Sequence, residues 1–130
     1  MLFDKYFTPF EAKKTLPLVK QIVRDIINCA NELRLLNINE RKNLTDDPLV
    51  SDLLFKINKY VDELKEIGCY YKDWNYENGL VDFPTVIDDK EVMLCWKSDE
   101  EDILFYHDHY DGFEGRKPIP EKYFVEETVI

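Results

Sequence analysis

The 130-residue chain lacks a long hydrophobic segment, paired cysteines and an excess of positive charge, and each shortage excludes a class of protein. No apolar run approaches the roughly 20 residues that a membrane-spanning helix needs. The first residues, Met1 to Lys5, have neither the basic start nor the apolar stretch of a secretory signal. These features predict a cytoplasmic protein that does not enter a membrane.

Cysteine is scarce, and its three positions, Cys29, Cys69 and Cys95, are widely spaced. An odd number at such spacings matches neither a disulfide framework nor a zinc ribbon. We therefore expect reduced thiols, and the sequence assigns no metal and no cofactor.

Basic residues are outnumbered, with 17 lysines and arginines against 27 acidic residues and a net charge of −10. Nucleic acids are normally met by clustered positive charge, so this balance argues against a nucleic-acid partner. Apolar residues nevertheless make up 45% of the chain, which is enough for a hydrophobic core. The length predicts a single domain over residues 1–130, with a helical part at 7–68 and a sheet part at 69–130.

The helical part begins at a capping box, Thr8-Pro9-Phe10-Glu11, in which the Thr8 and Glu11 side chains each accept a backbone N–H of the other residue. A heptad-like apolar seam follows, composed of Ala12, Leu16, Val19, Val23, Ile26, Ala30 and Leu33. The same face is widened by Leu18, Ile22, Cys29 and Leu36. Pro17 lies inside this helix and removes one backbone hydrogen bond, which predicts a kink.

A second helix is predicted after a polar loop at 37–47, with Asp47 as N-cap and Pro48 at the first helical position. Its apolar seam is Val50, Leu53, Ile57, Tyr60, Leu64 and Ile67, and Gly68 provides the C-terminal cap. The two helices should form a long antiparallel hairpin with a coiled-coil seam.

Residues after Gly68 change to β-branched, aromatic and turn types, which predicts a four-stranded antiparallel meander at 69–74, 80–86, 91–97 and 103–108. A strap ending in a short edge strand should follow at 119–130. The fold class is therefore α+β. Apolar residues on both faces of the third and fourth strands, such as Leu94 and Met93, indicate that helices cover one face and another element or a partner covers the other.

Family resemblance rests on residues spread over most of the chain. They are Phe7-Thr8, Glu11-Ala12, Leu16-Pro17, Gly68, Lys72-Asp73, Gly79-Leu80-Val81-Asp82-Phe83-Pro84, Val92, Leu94-Cys95-Trp96, Glu100, Ile103, His107, Gly112-Phe113, Gly115-Arg116 and Pro118-Ile119. In this pattern the chain resembles the bacterial and archaeal family known as domain of unknown function 2203. The resemblance implies a family but no activity, ligand or cofactor.

Five residues are candidates for a polar binding site: Asp82, Cys95, Glu100, His107 and Arg116. His107 is either a structural, hydrogen-bonded histidine or a general base that Glu100 orients. Arg116 either holds a carboxylate or phosphate ligand or pairs with Asp82 to fasten its loop to the sheet.

Cys95 reads as a buried, inert thiol, with a Cys95–His107 nucleophile pair as the alternative if strand register allows it. A metal site built from His107, Asp108, His109 and Asp111 with Asp82 or Glu100 is a further alternative.

The leading hypothesis is a homodimeric interaction or scaffold module with a small-molecule or anion site. Its rival is an enzyme or metal-binding protein that uses His107 with Glu100 and Arg116.

Overall fold

The computed structural model describes residues 2–39, 47–73 and 75–124. Two helices, α1 (Pro9–Asn39) and α2 (Pro48–Ile67), precede the sheet. The sheet has five antiparallel strands that follow each other in chain order: β1 (Tyr70–Tyr71), β2 (Leu80–Ile87), β3 (Lys90–Lys97), β4 (Phe105–Asp108) and β5 (Lys117–Pro118). The predicted α+β fold is confirmed, with one strand more than predicted.

Both helices begin where the capping residues predict. Thr8 Oγ1 accepts the backbone N–H of Glu11 at 3.1 Å, and Glu11 Oε1 accepts that of Thr8 at 3.2 Å. Asp47 Oδ1 accepts the N–H of Leu49 at 2.9 Å, and α2 ends at Gly68 in the left-handed conformation. α1 continues through Pro17 as one element, so the kink expected there stays a prediction.

The apolar seams pack the two helices against each other and against the sheet. On α1 every seam position from Ala12 to Ala30 is buried, but Leu18 is 55% exposed, so its assignment to the buried stripe was wrong. On α2 Val61 is buried where the sequence favoured its neighbour Tyr60, which is only half-buried. The described part of the chain leaves out residues 40–46 of the predicted loop.

The strand boundaries differ from the prediction mainly at the edges of the sheet. The expected strand at 69–74 is reduced to two residues, and the fourth strand begins at Phe105 instead of Ile103. The unpredicted β5 pairs with β4, placing Pro118 opposite Phe105. Proline has no backbone N–H and disfavours strands except at a sheet edge, so the sequence around Pro118 did not predict β5. The strand expected near the C-terminus falls at 125–130, outside the described residues.

The two faces of the sheet are chemically different. Val81, Phe83, Leu94 and Trp96 point to one face and join the helices in the hydrophobic core. Asp82 and the residues paired with it point to the other face. Helices thus cover one face, as expected, and the opposite face carries the polar residues.

Helices α1 and α2 are both too polar to cross a lipid bilayer, and the described residues contain no other helix that qualifies.

Candidate functional site

Three of the predicted site residues lie together on the sheet face turned away from the helices. Asp82 of β2 is directly opposite Cys95 of β3. His107 of β4 is opposite Met93, two residues from Cys95, and so points to the same face. All three are buried, with 5%, 2% and 3% of their surfaces exposed in that order.

Hydrogen bonds on both ring nitrogens fix the imidazole of His107. Nε2 lies 3.1 Å from each carboxylate oxygen of Asp82. Nδ1 lies 2.8 Å from the backbone carbonyl oxygen of Asp108. Because a carbonyl only accepts hydrogen bonds, Nδ1 carries a proton and donates it there.

The Asp82 carboxylate also holds a second proton on His107. Burial alone would lower the pKa of this histidine, but hydrogen bonds to Asp82, Cys95 and the Asp108 carbonyl raise the pKa to about 10. His107 is therefore an imidazolium paired with a carboxylate at neutral pH. The sequence-based pairing of Asp82 with Arg116 was wrong, because the nearer cation on this face is His107.

Glu100 and Arg116 form a second pair beside the first. Arg116 Nη2 donates to both carboxylate oxygens of Glu100, at 2.6 and 2.7 Å, and to the backbone carbonyl of Cys95 at 3.2 Å. The guanidinium also lies over the rings of Phe105 and Phe113, at 4.2 and 4.7 Å from their centroids. Glu100 thus binds Arg116 and does not orient His107, which corrects the expected role.

The turn after β3 explains why Glu100 lies there. Its Oε1 accepts the backbone N–H of Lys97 at 2.8 Å, and its own N–H donates to the Lys97 carbonyl at 2.9 Å. The Trp96 indole N–H donates to the Glu100 carbonyl at 2.8 Å. Glu100 therefore closes the β3–β4 connection and fastens the loop that carries Arg116 to it.

Cys95 completes the first cluster. Its Sγ, a carboxylate oxygen of Asp82 and a ring nitrogen of His107 all lie within 4.8 Å of one another. Burial raises the pKa of the Cys95 thiol, so it is protonated at neutral pH. A nucleophile pair would need a free lone pair on His107, and both ring nitrogens are committed.

A cleft of about 390 Å³ opens above this cluster. Asp82, Cys95 and His107 form its floor, and its walls are Lys72, Leu80, His109, Tyr110, Gly112 and Phe113. Gly112 has φ +66°, and a Cβ built on it would meet nothing within 4 Å, so the cleft is open on that side.

The other proposed metal ligands do not join the cluster. The Asp108 carboxylate lies on the core side of β4 and pairs with Lys90 at 3.1 Å and Lys117 at 3.6 Å. His109 lines the cleft, but its ring packs edge-on against Phe3 and Tyr110.

Sequence reasoning missed Asp73, which shapes the approach to β2. Its carboxylate accepts four backbone N–H groups, from Asn75 at 3.3 Å and from Glu77, Asn78 and Gly79 at 2.8–2.9 Å. Burial alone would raise the pKa of Asp73, but these four donors lower it. The Asn78-Gly79 turn signal close behind Asp73 was the available clue.

A sequence profile described as "Uncharacterized conserved protein (DUF2203)" matches residues 5–119, which confirms the resemblance seen in the motifs. No curated protein and no solved structure matches the chain.

Proposed function

We propose that this chain, which belongs to the DUF2203 family of uncharacterised conserved proteins, binds a divalent transition metal through Asp82, Cys95 and His107. The supporting observation is the convergence of three different donor atoms within 4.8 Å at the floor of an open cleft. The proposal revises the expectation of no metal. In it Asp82 and Cys95, instead of Glu100 and Arg116, act together with His107.

The types of donor favour zinc. A carboxylate oxygen, an imidazole nitrogen and a thiolate sulfur are the ligands that Zn²⁺ takes in proteins. A tetrahedral zinc ion places its ligand atoms about 3.3–3.8 Å apart. The 3.1 Å between His107 Nε2 and each Asp82 oxygen is slightly shorter than that spacing, and the 4.8 Å within which all three donor atoms lie is about 1 Å longer, so zinc binding would need small movements of the donors.

Charge balance also supports an exchange of protons for metal. Without metal the imidazolium, the carboxylate and the thiol sum to zero. A zinc ion that displaces one proton from His107 Nε2 and one from Cys95 Sγ leaves a neutral imidazole, a carboxylate, a thiolate and Zn²⁺, which again sum to zero. The buried site thus avoids an uncompensated charge in either state.

The surroundings of the cluster resemble the outer shell of a metal site. The Nδ1–H of His107 donates to the Asp108 carbonyl, which directs Nε2 toward the other two donors. Arg116 holds the backbone carbonyl of Cys95 at 3.2 Å, which fixes the strand at the thiol. These contacts orient the ligands before the metal arrives.

Cobalt substitution tests the proposal directly, because Co²⁺ binds to zinc sites and is coloured. Protein purified without an affinity tag should bind one equivalent of Co²⁺ and show a thiolate-to-cobalt charge-transfer band. Zinc should then displace the cobalt. Cys95→Ser should abolish the band and weaken zinc binding by more than about tenfold, since even outer-shell changes cost that much.

Cys69→Ser is the matched control, because Cys69 is also fully buried and its thiol pKa is raised to about 12 by burial. It should leave the cobalt spectrum unchanged. Asp82→Asn and His107→Gln should each weaken zinc binding as Cys95→Ser does. A cobalt complex without the charge-transfer band, or equal zinc affinity in Cys95→Ser, would contradict the proposal.

Exposed apolar side chains on the helices favour the homodimeric module as a second candidate. Leu49, Leu54 and Phe55 of α2 are 48%, 50% and 68% exposed, and a second copy of the chain would bury them. This function is compatible with the metal site, because the helices lie on the opposite side of the sheet.

A further inference from the structure

We propose that the cleft above Asp82, Cys95 and His107 binds a small organic carboxylate, whose carboxylate group takes the open position on the metal. This inference rests on the proposed metal site. Three protein ligands leave the fourth position of a tetrahedral ion free for a water molecule or a ligand. The same three residues line the cleft, so a ligand in the cleft would lie beside the bound ion.

The charge of the cleft is the first reason to expect an anion. The chain carries 27 acidic residues, yet Asp82 is the one carboxylate among the described residues that line this cleft. It would be neutralised by the metal. Lys72 is an exposed wall residue whose ammonium group has no hydrogen bond or ion pair within the described part of the chain. It is available to attract a negative ligand.

The remaining walls favour a ligand with an apolar body. Leu80, Tyr110 and Phe113 supply hydrocarbon and ring surface, and Phe113 and Tyr110 are 41% and 93% exposed. Arg116 lies 4.7 Å from the centroid of the Phe113 ring and so holds it in place. A volume of about 390 Å³ is at the small end of the range for small-molecule sites, which suits a single ring.

A neighbouring cavity provides a contrast within the same molecule. It has a volume of about 420 Å³ and shares His109 and Tyr110 with the cleft, but its lining includes Glu91, Asp108 and Asp111. Three carboxylates against Lys90 would repel an anion. Of these two cavities, the cleft over the metal cluster is therefore the one that favours an anion.

The contributions of the ligand's charge and of its ring can be distinguished by titrating the cobalt-loaded protein with benzoate, benzamide and acetate. Benzoate should shift the visible bands of bound Co²⁺, because it replaces a ligand of the ion. Acetate should shift them at concentrations about tenfold higher, since it lacks the ring that buries apolar surface. Benzamide has the ring without the charge and should leave the bands unchanged.

Lys72→Gln should weaken benzoate binding by about fivefold without altering cobalt affinity, since one favourable charge is lost. Lys59→Gln removes the same charge from the exposed side of α2 and is the matched control. Tyr110→Ala should weaken benzoate binding and leave acetate binding unchanged.

The outcomes distinguish the two proposals. If cobalt binds through Cys95 but benzoate does not change its spectrum, the carboxylate site is wrong and the metal site stands. If cobalt does not bind, both are wrong. Equal binding of benzamide, equal binding of benzoate to metal-free protein, or tighter binding of inorganic phosphate would each overturn the assignment of a metal-bound organic carboxylate.

Discussion

At the scale of single residues, Asp73 shows how one carboxylate can organise a loop. Its oxygens accept four backbone N–H groups of residues 75–79, the segment that leads into β2. A carboxylate that accepts several backbone hydrogen bonds is stabilised in its charged form. Asp73 therefore holds the start of the strand that carries Asp82.

Asp73→Asn should destabilise the protein by about 2 kcal/mol at pH 7, because charge-assisted hydrogen bonds become weaker neutral ones. The folded pKa of Asp73 lies below its ordinary value of 3.8, so its contribution is present above that pH and is lost as the pH falls through the folded value. The stability difference between wild type and variant should therefore be constant down to about pH 5 and shrink below pH 4.

Urea unfolding at a series of pH values measures this difference. Asp62→Asn, which removes an exposed carboxylate from α2, is the control and should show no such pH dependence. A difference between wild type and Asp73→Asn that persists unchanged to pH 3 would contradict the role assigned to the carboxylate.

At the scale of elements, Gly79 joins the sheet to α1. Its φ is +75°, and a Cβ built on it would lie 2.6 Å from Cγ1 of Val23. Gly79→Ala should cost about 3 kcal/mol, the sum of a strained backbone and an overlap in the core. Gly112 also has a positive φ, of +66°, but space for a Cβ, so Gly112→Ala measures backbone strain without the overlap.

Thermal and urea unfolding of the two glycine variants should rank Gly79→Ala well below Gly112→Ala in stability. Adding Val23→Ala to Gly79→Ala removes the overlapping methyl group and should recover part of the loss. Equal stability of the two single variants would mean that α1 moves away at no cost.

The register of β2 and β3 could have been predicted from the turn between them. Asp88 and Asp89 both have positive φ, 50° and 62°, in a two-residue turn that sets Ile87 opposite Lys90. Five residues away from the turn along each strand, this pairing places Asp82 opposite Cys95. The strands predicted at 80–86 and 91–97 leave four residues between them instead of two, so the pairing of Asp82 with Cys95 was not predicted.

The position of His107 could not have been obtained in this way. The connection from β3 to β4 spans residues 98–104, and a loop of that length does not fix the register of the strands it joins. The partner of Asp82 therefore depended on tertiary structure. The helix N-caps, by contrast, are local, and Thr8 and Asp47 predicted both helix starts correctly.

At the scale of the whole molecule, the sheet separates an apolar face from a face that carries a polar cleft. The helices cover one face and bury the core, while the polar cleft lies on the other. A dimer formed through the hairpin would leave the cleft accessible. The net charge of −10 opposes association of two copies, so burial of apolar surface would have to outweigh the repulsion.

The dimer prediction can be tested by light scattering on the wild-type protein and on Leu54→Glu/Phe55→Glu. The wild type should give twice the 15.6 kDa chain mass, and the fraction of dimer should rise with salt because salt screens the repulsion between the copies. The double variant should give the mass of one chain with unchanged helical circular dichroism.

Leu104→Glu, at a residue 46% exposed beside the sheet, should remain dimeric. A wild-type mass of one chain at about 100 μM, where even weak micromolar dimers are populated, would show that the hairpin surface does not bind a second copy.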